Sequence, residues 1–81
     1  MSDLWEEARR RAEQPFLTVV FLDEGTDGES IYVAIDPNLK GCVAQGDTPA
    51  DARHNLKEVR VTHIHHLLEF GLDVPQSQVQ V

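Results

Sequence analysis

The segment "GDTPADA", residues 46–52, constrains the fold most, because it announces a long helix. Thr48 suits the N-cap, Pro49 fits the first helical position, and Asp51 at the third can complete a capping box. The helix is expected to run to about Phe70, with Gly71 as its C-terminal cap. Ala52, Leu56, Val59, His63 and Leu67 follow spacings of 4, 3, 4 and 4 and so share one face, which Ile64 and Leu68 widen. Such a stripe needs an apolar surface to cover, and the preceding chain reads as a sheet.

The stretch "FLTVVFL", residues 16–22, is rich in β-branched and aromatic residues and predicts a strand. The stretch "DEGTDGE", residues 23–29, reads as a solvated hairpin loop, and its carboxylates lack the ligand spacing of a calcium loop. In "SIYVAID", residues 30–36, Ile31, Val33 and Ile35 alternate against Tyr32 and Ala34, the pattern of a half-buried strand. Pro37 ends that strand by removing a ladder donor. Gly41 permits a positive φ or a close backbone approach, and "CVAQ", residues 42–45, forms a third short strand.

At the N-terminus, Ser2 is expected to cap a helix reaching about Gln14 and stopped by Pro15. Asp3, Glu6 and Glu7 come early and Arg9, Arg10 and Arg11 late, an order that suits the helix macrodipole. Leu4, Trp5, Ala8 and Ala12 share a modest apolar face. Trp5 is expected to pack onto the sheet, with a subunit or partner contact as the alternative. Beyond the long helix, residues 72–75 read as an extended exit and 76–81 as a tail or edge strand.

The fold class is therefore α+β, in two layers. An antiparallel sheet of three or four strands is covered by one long helix, with an extra N-terminal helix. Residues 1–15 form the extension, 16–75 the domain proper and 76–81 the tail.

At 81 residues the chain makes one domain, which buries only about 60–65% of its unfolded surface and gains from an oligomer or partner. Its 14 acidic against 7 basic residues give a net charge of −7, a field that opposes direct nucleic-acid binding and favours a basic partner. The opening "MSDLWEEARRR" has charges where a signal peptide has an apolar core, and no apolar run is long enough for a membrane span. The expected location is the cytoplasm.

Four histidines include the cluster "HIHH" at His63, His65 and His66. Zinc needs converging ligands, and the i,i+3 pair His63–His66 and the i,i+4 pair His65–Glu69 point to different sides of a helix. His63 falls on the core stripe, while His65 and His66 are expected to face solvent; a metal bridge between subunits stays open. Cys42, the lone cysteine, reads as a small buried residue, since a reactive thiol needs an electropositive, partly exposed setting. The strand-end acids Asp23, Asp36 and Asp47 read as solvated carboxylates rather than a two-metal centre. No phosphate loop, nucleophile elbow or Walker motif is present. The chain is expected to be neither an enzyme nor a cofactor binder. The exposed acids Asp23, Glu24, Asp27 and Glu29, together with Trp5, are the candidate partner-binding residues.

The segment "YVAIDPNLKGCVAQGDTPADA", followed by a long helix and "LLEFGLDVP", resembles the HicB-like antitoxin family. The resemblance rests on Tyr32, then Pro37, Leu39, Gly41 and Cys42, then Gly46, Asp47 and Thr48, then Ala52 at the helix start, and a Gly71–Pro75 exit. It runs from about Phe16 to Pro75. It implies a partial ribonuclease-H-like fold, in shape without catalytic acids. It also implies a protein that neutralises a small basic messenger-RNA-cleaving toxin of the HicA type, with self-association common. Typical members continue into an operator-binding module; for this chain, binding without direct contact to nucleic acid is expected. Arg60 and His63 stand where the family has apolar or aromatic residues, so that helix face is expected to meet something polar.

Overall fold

The computed structural model describes residues 3–14, 16–25 and 28–75. Helix α1 (Leu4–Ala12) is followed by strands β1 (Val19–Glu24), β2 (Ser30–Ile35) and β3 (Val43–Gly46), and then by helix α2 (Pro49–Glu69). The strands form one antiparallel sheet in the order β1-β2-β3. The architecture is α+β, with α2 across one face of the sheet and α1 packed against α2. The fourth strand allowed by the sequence falls in residues 76–81, outside the described residues.

The ends of α2 are set by local chemistry. The Thr48 hydroxyl accepts a hydrogen bond from the Asp51 amide at 3.0 Å, and Pro49 opens the first turn. At the other end, Gly71 has φ +68°, the Gly71 amide bonds the Leu68 carbonyl, and the Leu72 amide bonds that of Leu67. This is a Schellman closure, which satisfies carbonyls the helix leaves unpaired.

β1 begins later than its β-branched run suggests and extends to Glu24, so Asp23 and Glu24 belong to the ladder, opposite Ile31 and Ser30. Phe16 and Thr18 precede the strand and turn toward the helices. α1 is likewise shorter at both ends than expected. Its N-cap is Asp3 rather than Ser2, with the Asp3 carboxylate accepting from the Trp5 amide at 3.0 Å.

Residues of one parity meet α2: Val20 on β1, Tyr32 and Ala34 on β2, and Ala44 on β3. They pack with Leu39, Cys42, Ala52, Leu56 and Ile64, and Ala8 carries the core across to α1. Alanines dominate the contacts between layers, so the helices approach closely while each contact buries little apolar area. Gly46 marks the tightest approach: a Cβ there would stand 2.4 Å from the Ala52 amide nitrogen.

The core stripe of α2 differs from the expected one. The fully buried line is Ala52, Leu56, Arg60 and Ile64, at a constant spacing of four, while Val59, His63 and Leu67 are only half-buried. A strict apolar pattern passes over Arg60, and the stripe is displaced because the helix has a reason to bury that charge.

Candidate functional site

The reason is Asp36. It follows β2 directly and continues the parity of Tyr32 and Ala34, so its side chain points toward α2. The expectation of a solvated strand-end acid is wrong for Asp36, which is 2% exposed. The Arg60 guanidinium engages it through two nitrogens: Nε donates to Oδ2, and Nη2 donates to Oδ1 at 2.8 Å. Thr18 closes the cluster, donating its hydroxyl to Asp36 Oδ1 at 3.0 Å and accepting from Arg60 Nη2 at 3.1 Å. The Phe16 ring lies 5.0 Å from the guanidinium carbon, a cation–π contact.

Cys42 is the fourth member, its thiol facing Asp36 Oδ2 at 3.7 Å. Burial, then repulsion by the Asp36 carboxylate, pushes the thiol pKa up to about 12, with Arg60 opposing and the hydrogen bond to Asp36 adding to the rise. Such a thiol stays protonated and donates; it is not a nucleophile at neutral pH. Each carboxylate oxygen of Asp36 accepts two hydrogen bonds, so the carboxylate has no free lone pair to offer a substrate. It ties the pre-β1 segment, the β2–β3 turn and α2 together.

The turn itself is the motif segment. The Leu39 amide bonds the Asp36 carbonyl, the Cys42 amide bonds the Leu39 carbonyl, and the Asp36 amide bonds the Cys42 carbonyl. Leu39 plugs the core at 1% exposure, and Gly41 takes φ +90°, the positive value its position permits. Tyr32 packs half-buried against the core, Cys42 and Ala52 are buried, and Thr48 is the cap; Pro37 and Asp47 are exposed. Most of the motif residues thus form the joint between sheet and helix.

The partner-binding candidates lie elsewhere. Asp23, Glu24 and Glu29 are exposed around the first hairpin, where the Gly25 amide bonds the Glu29 carbonyl at 2.7 Å. Asp27 lies outside the described residues. Trp5 does not pack on the sheet. Its ring stacks on His65 of α2 with centroids 3.7 Å apart and planes 12° apart, leaving Trp5 42% exposed. His65 is therefore covered rather than solvent-facing, its side chain 16% exposed. His66 is exposed and leans on Phe70, and His63 lies beside Gly41. Among the described residues no group of three or more His, Cys, Asp or Glu is gathered to hold a metal ion.

A surface that the sequence reading missed is the outer face of the sheet, which no element among the described residues covers. The parity that turns Tyr32 and Ala34 toward α2 turns Ile31, Val33 and Ile35 away from it. Beside them stand Val19 and Phe21 on β1 and Val43 on β3. Phe21 is 44% exposed and Val43 48%, while Val33 is shielded by its neighbours. Asp23, two residues beyond Phe21 on the same face, ends this apolar ribbon with a carboxylate. The signal was available in the alternation of β2, but both parities there are apolar, and size alone points to the wrong inner face.

Among the described residues no helix is long and apolar enough to cross a membrane. Comparison with known protein families, with curated proteins and with solved structures finds no match.

Proposed function

We propose that this protein is a non-enzymatic, HicB-like antitoxin-type binding module. It acts in the cytoplasm and holds a small basic messenger-RNA-cleaving toxin of the HicA type, without cofactor and without touching nucleic acid itself. The observation that carries the reading is the outer sheet face, which no described element covers: an apolar ribbon from Val19 and Phe21 to Val43 that ends in the exposed carboxylate of Asp23, with Glu24 exposed next to it at the strand end. An apolar centre with a charged rim is the composition of a protein interface. The sign of the rim, on a chain of net charge −7, favours a basic partner and steers its approach. The motif from Tyr32 to Ala52 supports the family resemblance.

A second reading is favoured by the same apolar ribbon, which crosses all three strands: a homo-oligomeric module in which another copy covers the face. Native mass spectrometry of the tagged protein, purified gently from its own host, separates the two. The first reading predicts a stoichiometric complex with one small basic protein that cleaves RNA once freed. A homo-oligomer alone, with neighbouring genes induced, would overturn it in favour of the second.

A further inference from the structure

The charge of this protein is unevenly spread. Four of its seven Lys and Arg residues, Arg9, Arg53, Lys57 and Arg60, line a single cleft of about 600 Å³ between α1 and α2. Glu13 is the one carboxylate among its lining residues. The charge of Arg60 is already matched by Asp36, buried behind the cleft. Arg9, Arg53 and Lys57 make no ion pair with a described residue. The cleft therefore carries two uncompensated positive charges (three cations less Glu13) on a chain of net charge −7.

Helix electrostatics explain Arg9, which stands in the last turn of α1, where a cation is favoured. They do not explain Arg53, close to the positive N-terminal end of α2, where a cation gains nothing from the macrodipole. Arg53 and Lys57 are four apart and present their charges from one side of α2 toward α1. The remaining lining is Ala12, Phe16 and Val61, which are apolar, with Gln14 and Thr18 as its neutral polar members. Cavities of about 300–1,000 Å³ with apolar walls and a few convergent polar groups are the usual form of a small-molecule site.

We propose that this cleft binds a small organic anion, a carboxylate or phosphate head on an apolar body. Arg9, Arg53 and Lys57 surround the head, and Phe16, Ala12 and Val61 receive the body. Arg60 is a positioning residue: its bond to Asp36 and its contact with Phe16 hold the floor in place. The site is independent of the toxin-binding reading and lies away from the uncovered sheet face.

The test is a two-dimensional amide NMR titration of the whole protein with phenyl phosphate, benzoate, inorganic phosphate and benzyl alcohol. Saturable shifts confined to α1, α2 and residues 16–18 are expected with phenyl phosphate or benzoate, and the stronger of the two identifies the head group. Inorganic phosphate should bind more weakly and benzyl alcohol should not saturate. The exposed pair Arg53→Ser/Lys57→Ser should weaken binding about tenfold or more, through loss of charge-assisted hydrogen bonds. Glu13→Gln should tighten it about two- to fivefold, as expected of removing one exposed like charge. Shifts that never saturate, an equal response to benzyl alcohol, or binding unchanged in the double variant would overturn the proposal.

Discussion

Replacing Arg60 with methionine tests the reasoning about the core most sharply. The substitution keeps a long apolar stem but removes the cation, leaving Asp36 with two neutral donors, the Thr18 hydroxyl and the Cys42 thiol. The Asp36 side chain is 0% exposed and that of Arg60 9%, so water cannot replace the lost partner without opening the core. Breaking a buried pair from one side costs about 3–5 kcal/mol, because the remaining charge is uncompensated. Total stability at about 0.05–0.15 kcal/mol per residue is roughly 4–12 kcal/mol for a chain of this length, so the loss is a large share of it. With a urea m-value of about 1–1.5 kcal/mol/M, the midpoint followed by circular dichroism should fall by about 2–5 M. The double variant Asp36→Asn/Arg60→Met leaves no buried charge and should lose only about 1–3 kcal/mol, the cost of imperfectly paired neutral groups. A loss below about 1 kcal/mol in the single variant, or a double variant that loses the sum of both singles, would refute the account of this cluster.

Other outcomes follow from neighbouring contacts. The Cys42 thiol, raised from 9.0 to about 12, binds its proton more tightly folded than unfolded, so its contribution is complete below about pH 9 and is lost as pH rises through about 12. Thermal melts across that window should show the fall, and at pH 8 a disulfide reagent should react with Cys42 only after denaturant is added. Gly46→Ala sets a methyl group against the backbone of Asp51 and Ala52 and should cost about 1–3 kcal/mol by denaturant titration, the usual penalty of overpacking. Thr48→Ala removes the cap of α2 and should cost about 1 kcal/mol, whereas an unchanged melting curve would show that this hydroxyl does not hold the helix start.

What was legible in the sequence was whatever local chemistry decides. Thr48, Pro49 and Gly71 define the ends of α2 because capping bonds span only a few residues, and Gly41 marks the positive φ its turn requires. The hairpin and the three strands followed from β-branched runs separated by turn residues, with bounds shifted by a few positions. The Asp36–Arg60 pair was not legible as a pair, since its partners are 24 residues apart and each alone resembles an ordinary surface charge. The polar contact expected for the Arg60 face was a partial pointer. Trp5 was misplaced for a related reason: an apolar stripe shows that something is covered, while the partner, His65, is chosen by how α1 crosses α2. The uncovered sheet face was hidden because the inner parity is filled by Ala34, Ala44 and Val20. These small residues let the helix come close and leave the bulkier Phe21, Ile31 and Ile35 outside. Of the hairpin acids, the exposure of Asp23, Glu24 and Glu29 was legible from charge and turn composition.

The measurement that bears most directly on the binding-module reading compares wild type with Phe21→Lys, each purified from the native host and examined by native mass spectrometry. Phe21 stands on the uncovered face, outside the core, so the variant should keep the wild-type circular dichroism spectrum. The account predicts a stoichiometric small basic chain with the wild type and its absence from the variant. A basic chain retained by Phe21→Lys, or found with neither protein, would contradict it.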